Sequence, residues 1–267
     1  QVLARRVAEA LGCRPEDVSV EASDGSEGLV GSGAFGSRAA VATMWALGEA
    51  GAAGRSALVR QAAEQHDLPE DGIAIADGLV RRGEDVIATL AEVVATATQG
   101  SATMEFTGAA PLSDSLPSGC HVAEVEIDPE TGTVAIERYV AVDDCGTVLD
   151  HRLADAQMHG AIAQGIGEAL TERIVFSPDG QLVTASFLDY AMPRADLLPS
   201  FDLSFAGPPS TANPTGAKGI GEAGVAGALL AISSAVLDAL PEEADRAAVQ
   251  IPFAPQRLWP HLAGARA

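Results

Sequence analysis

The sequence predicts an α+β fold, with helices packed on antiparallel hairpins and small mixed sheets. Three observations lead there. The stretch HVAEVEIDPETGTVAIERYVAV, residues 121–142, alternates apolar and polar residues on both sides of a Pro-Glu-Thr-Gly turn, which is the period of two half-buried antiparallel strands. IAIADGLV places Asp77-Gly78 between two short β-prone runs, a second hairpin signal. Segments of helical period stand between the hairpins, without the regular strand-helix alternation of a parallel sheet.

The elements follow in order. Leu3, Val7, Ala10 and Leu11 recur at helical spacing, and Gly12 closes that helix before a turn at Pro15. VSVEA, residues 18–22, reads as a short strand, and SDGSEGLVGSGAFG as a glycine-rich loop. A helix is expected over 37–53 and a second from Arg55 to Gln65. VIATLAEVVATAT reads as helix and ATMEFTG as strand. The long alternating pair ends at DDCGTVLD. Arg152 to Glu172 then forms a helix, and SPDGQ turns another hairpin. FDLSF is a strand, followed by the long loop AGPPSTANPTGAKGIG, an apolar helix to Leu240 and a short helix near PQRLWPHL.

With 267 residues, 47% of them hydrophobic, and a mean hydropathy of +0.17, the chain can bury a sizeable core. Sub-lobes at 1–115 and 116–267 are expected. The 37 acidic against 16 basic residues give a net charge of -21, which disfavours nucleic acid and anionic lipid as partners. Three cysteines, Cys13, Cys120 and Cys145, are odd in number and form no C-x-x-C pair, as expected of a cytoplasmic protein. No apolar run reaches the roughly 20 residues of a membrane span. The opening QVLARRVAEALG begins without Met, in what reads as the middle of a helix, and suggests a piece of a longer chain.

Three glycine-rich loops, at Gly31 to Gly36, Cys145 to Asp150 and Gly216 to Gly221, each lead into a helix. Such junctions expose backbone N–H groups and the positive end of a helix dipole to an anion, although a glycine needed only for its turn explains each one equally well. Gly219, Gly221 and Gly224 also complete a G-x-G-x-x-G. A long proline-containing loop separates it from the preceding strand, unlike a dinucleotide fingerprint. Glu222 stands where the helix begins, so the dipole favours its ionised form as a proton acceptor; the same position suits a carboxylate that merely caps or solvates its helix. On the Arg152–Glu172 helix, Gln157, Ala161 and Gln164 share a face by spacing, among Gly160, Gly165 and Gly167. Amides there can bond a planar polar ligand, or the face can pack against another helix. His159 is alone, which argues against a metal ligand.

GSGAFGSRAA, VDDCGTVLDHRLADAQMHGAIAQGIGEAL and GAKGIGEAG, in that order, resemble the molybdenum-binding large subunit of the xanthine dehydrogenase, aldehyde oxidase and carbon monoxide dehydrogenase family. The resemblance covers essentially the whole chain and is strongest to the bacterial three-subunit type. It implies a molybdopterin-binding domain, the C-terminal part of a longer polypeptide and inactive alone. The implied activity is oxidative hydroxylation of an aldehyde, N-heterocycle or CO-type substrate, with water as oxygen source and Glu222 as catalytic base. Gln157 matches a pterin-contacting glutamine; Gly36, Ser37 and Arg38 match a cofactor loop; Asp144, Cys145 and Thr147 match the loop before the glutamine helix; Lys218, Gly219, Ile220 and Gly221 match the backbone leading to the base. The cofactor implied is molybdenum-molybdopterin, as the cytosine dinucleotide, with the metal held by the pterin dithiolene and by no side chain. Implied partners are the N-terminal remainder of the large subunit, a [2Fe-2S] small subunit and an FAD medium subunit, in a dimer of heterotrimers. Asp150 and His151 depart from the Asn-Pro common in relatives. A fold-retaining assembly protein and an NAD-binding protein are the alternative readings.

Overall fold

The computed structural model describes residues 2–22, 25, 31, 33–98, 104–111 and 115–262. The chain divides into two compact units, Gln1–Asp114 with Thr211–Gly216, and Ser115–Ser210 with Ala217–Ala267.

In the first unit, α1 (Val2–Leu11) packs on α2 (Ala39–His66). α2 is one 28-residue helix, where the sequence predicts two separated near Gly51 and Gly54. Both glycines lie inside it. A Cβ on Gly51 would strike that of Ala10, and one on Gly54 would crowd Leu11 and Phe106, so close helix packing explains them. β1 (Ile73–Ala76), β2 (Leu79–Arg82) and β3 (Asp85–Thr89) form an antiparallel sheet. Asp77 and Gly78 turn its first hairpin at φ 53° and 75°, the left-handed pair such a turn needs.

The helix expected from Val86 begins later, as α3 (Leu90–Ala97). β-branched Val86 pairs instead with Arg81 of β2, Ile87 is the extra residue of a bulge before Ala88 pairs with Val80, and Thr89 ends the strand while forming a capping box with Glu92. VSVEA and the described part of ATMEFTG lie outside any ladder; β-propensity makes no strand without a partner edge. Most of the glycine-rich loop before α2 lies outside the described residues.

In the second unit, β4 (Ser118–Ile127), β5 (Val134–Asp144) and β6 (Phe201–Phe205) form a mixed sheet in that order, antiparallel then parallel. The long hairpin forms as expected. A bulge inserts Glu137, since Glu124 pairs with Arg138 and Val125 with Ile136. The extra residue shifts the alternation, so Val134 and Ile136 face inward before it and Tyr139, Ala141 and Asp143 after it.

α4 (His151–Leu170) and α5 (Ala223–Asp238) cross over this sheet. The core joins Met158, Ile162 and Ile166 of α4, Ala228, Ile232 and Val236 of α5, and Tyr139. Small residues set the crossing: a methyl on Gly165 would lie 2.6 Å from the Val225 carbonyl oxygen, and one on Gly224 2.7 Å from Ala161 Cβ. SPDGQ closes a hairpin through a single bridge, Phe176 to Leu182. The short α6 (Pro255–Leu258) seats buried Leu258 in the same core.

Candidate functional site

β5 ends at Asp144, and the loop beyond it meets the stretch that leads into α5. Gly146 bridges Ala217, and Lys218 N–H donates to the Cys145 carbonyl at 2.8 Å. The Asp144 carboxylate accepts from Lys218 Nζ, and its Oδ1 from Gly146 N–H at 2.8 Å. These donors hold the Asp144 carboxyl below its usual range, Lys218 contributing most. Burial pushes the Cys145 thiol up, so this cysteine is an inert part of the wall. Thr147 is exposed in the same loop. The second unit therefore brings together Asp144, Cys145, Lys218 and the backbone of Gly219, Ile220 and Gly221, which runs on to Glu222.

Glu222 is exposed and occupies the N-cap position of α5, yet its side chain makes no capping hydrogen bond. The simplest structural role for a carboxylate there is thus not the one it has. α4 differs: the Asp150 carboxylate accepts from Leu153 N–H at 3.2 Å, so the helix supplies its own anion and the departure at Asp150 is a cap. Of the helix starts read as anion sites, this one is self-satisfied.

Along α4, Gln157 and Gln164 are exposed with Gly160 between them, where an added Cβ would meet nothing within 4 Å. Ala161 does not share their face. It is buried against Gly224, because a four-residue step advances 40° beyond one turn and carries position 161 to the α5 side. His159 bonds the Asp155 carbonyl and packs by Phe201, with ring centroids 5.4 Å apart.

Gly36, Ser37 and Arg38 belong to the first unit. Gly36 and Ser37 lie at φ 59° and 57°, Arg38 N–H closes the turn on the Phe35 carbonyl, and the guanidinium sits 4.3 Å from the Phe35 ring centroid. That turn starts α2 without a side-chain cap.

Sequence reading passed over His121, which faces inward on β4 between Tyr139 and Asp143. A histidine in the inward phase of an apolar strand, opposite an inward Tyr and Asp, was the available signal. Among the described residues no three His, Cys, Asp or Glu side chains group to hold a metal, and no helix is long and apolar enough to cross a membrane.

The sequence profile of the molybdopterin cofactor-binding domain family matches residues 1–199. The chain belongs to this family. The domain is 36% identical over 249 residues to the nicotine 6-hydroxylase large subunit of Paenarthrobacter nicotinovorans, covering 89% of this chain and 30% of the relative. To the carbon monoxide dehydrogenase large chain of Hydrogenophaga pseudoflava it is 28% identical, covering 97% and 33%. Among solved structures, Cu,Mo-CO dehydrogenase in its carbon monoxide reduced state superposes with a TM-score of 0.82 at 25% identity, covering 99% of the domain and 34% of that chain. Quinoline 2-oxidoreductase from Pseudomonas putida 86 does so at 0.78 and 30% identity, covering 98% and 34%. The domain thus spans about a third of the length of these relatives, and the structural matches extend through α5 and Glu222. The resemblance to molybdenum hydroxylase large subunits and the α+β expectation are borne out. A dinucleotide fold is not what the glycines serve: Gly224 admits α4, and no strand follows α5 among the described residues.

Proposed function

We propose that this domain is the cofactor-binding, base-bearing part of a molybdenum hydroxylase large subunit, with Glu222 as the catalytic base. The observation that supports it most is Glu222 itself, an exposed carboxylate at a helix start that it does not cap, at the end of a backbone stretch tied down by Asp144 and Cys145.

The residues present suit a molybdenum-pterin cofactor. The open α4 face offers Gln157 and Gln164 amides around a bare Gly160, a donor and acceptor set matched to a pterin edge approaching close to backbone. Gly219, Ile220 and Gly221 supply further backbone groups. In the first unit, Gly36, Ser37 and Arg38 form a turn with a cation beside it, suited to phosphate. When bound, that cofactor supplies two-electron redox chemistry with water as the oxygen source. Glu222 would take up a proton at its carboxylate, Gln157 would hydrogen-bond the ring system, and the Asp144–Lys218 pair holds in place the backbone that leads to Glu222.

The cytosine dinucleotide form, [2Fe-2S] and FAD partner subunits, a dimer of heterotrimers and a cytoplasmic location complete the reading. The relatives include enzymes named for N-heterocycles and for carbon monoxide, so the substrate class of the reading stays an aldehyde, N-heterocycle or CO-type compound. In the intact enzyme, Glu222→Gln should abolish turnover while molybdenum content stays at the wild-type level. Substantial turnover by that variant would remove Glu222 from the role.

A further inference from the structure

Asp143 lies one residue before the site and is buried, 3% exposed. Its carboxylate faces His121, with Nε2 3.1 Å from Oδ2 and 3.3 Å from Oδ1, while His121 Nδ1 lies 2.6 Å from the Tyr139 hydroxyl. The register explains the triplet. His121 pairs with Ala141, so Tyr139 and Asp143 are its two diagonal neighbours on the inward face. Burial, and then the Asp143 charge, push the Tyr139 phenol up, so it keeps its proton, which a neutral imidazole accepts at Nδ1. Nε2–H is left to donate to Asp143. The chain runs hydroxyl to imidazole to carboxylate, with each proton assigned by its neighbour.

Two glycines make room for it. A Cβ on Gly119 would collide with the Asp143 carboxylate, and one on Gly227 would lie 2.5 Å from His121 Cε1 and Nδ1. Gly227 is in α5, so the imidazole rests directly on the backbone of the helix that starts after Glu222.

We infer that His121 is a positioning residue that braces the Lys218–Glu222 stretch at both ends. At the upstream end it fixes Asp143, whose chain neighbour Asp144 binds Lys218. At the downstream end it sets the height of α5 at Gly227, five residues past Glu222. A buried carboxylate is costly unless paired and hydrogen-bonded; the ladders to β4 and β6 hold the Asp143 backbone, but its carboxylate loses the His121 partner when the imidazole is removed, and the cost falls on the strand end that carries Asp144. The inference rests on the proposed role of Glu222 for its functional meaning but not for its geometry.

The test is backbone amide exchange followed by mass spectrometry on the intact polypeptide, with molybdenum content and steady-state kinetics measured alongside. His121→Leu should raise exchange in the 217–223 peptide by about tenfold or more, the scale of losing a hydrogen bond to a buried charge. Exchange in the 161–170 peptide of α4 should stay unchanged. kcat should fall with KM nearly constant, and His121→Gln, which keeps one donor and one acceptor, should restore most of both readouts. Tyr139→Phe preserves packing and removes only the hydroxyl, so it reports the same pattern in weaker form should the leucine variant fold poorly. Unchanged 217–223 exchange in these variants, or a rise shared equally by α4, would overturn the brace. Exchange does not depend on turnover, so a failure here is distinct from a failure of Glu222 as base, which only the Glu222→Gln kinetics decide.

Discussion

The Asp144 carboxylate and the Lys218 ammonium bond across 74 positions of sequence, both side chains about 15% exposed. Together with the Lys218 N–H bond to Cys145, the pair makes one rigid junction from a strand end and a loop. Asp144 is the last paired residue of β5, opposite Ser118, whereas the stretch around Lys218 meets that strand end through one bridge, Gly146 to Ala217, so side chains add restraint that a longer ladder supplies elsewhere.

This pair sets an acid limit on the junction. Asp144 titrates below its usual range because Lys218 and the Gly146 N–H favour its ionised form. A depressed folded value contributes stability that is fully present above the ordinary Asp value, near pH 3.9, and is lost as pH falls through the folded one. Stability should therefore drop on acidification below about pH 4, and Asp144→Asn should make that drop shallower while lowering stability at neutral pH. Urea unfolding at a series of pH values measures both; an unchanged acid slope in the variant would mean the pair carries no such linkage.

The α4–α5 crossing is fixed by glycine where no other residue fits. Gly165→Ala would put a methyl 2.6 Å from the Val225 carbonyl oxygen and 2.8 Å from Ala228 Cβ, and backbone cannot yield as a flexible side-chain tip can. Although alanine is the better helix former, the overpacking should win and cost about 1–3 kcal/mol. The shift also moves the first turn of α5, so cofactor retention should fall with the melting temperature. A variant as stable as wild type would show that the two helices can separate without strain.

Sequence pattern revealed those parts of the molecule whose causes are local. Asp77-Gly78 and the Pro-Glu-Thr-Gly turn carry their own turn chemistry, and β4 and β5 their own period. VSVEA failed as a strand because pairing depends on an edge that sequence does not display, and α2 was divided in two because Gly51 and Gly54 serve α1 rather than a break. Val86 and Ile87 went to β3 because β2 offered an edge. In the candidate site, motifs single out Asp144, Lys218 and Glu222, whereas the bond between the first two joins a strand end and a loop that are distant in sequence. His121 was missed because its partners are set by a register that the bulge at Glu137 offsets. Ala161 was placed with the glutamines by counting alone, without the neighbouring helix that claims it.

Gly160 separates cofactor recognition from helix stability. It lies in the interior of α4, exposed, with open space where a side chain would begin. In an unliganded helix, Gly160→Ala should stabilise by about 0.5–1 kcal/mol, since glycine loses more backbone entropy on folding and alanine meets no obstacle. If the pterin lies on this face between Gln157 and Gln164, the added methyl enters the space the ligand needs. The variant should then melt higher as apoprotein, yet hold less molybdenum and pterin when purified from the same cells. Opposite signs in the two measurements place the cofactor on the glutamine face. A gain in stability with full cofactor loading would move it elsewhere and return Gln157 and Gln164 to the status of solvent-exposed amides.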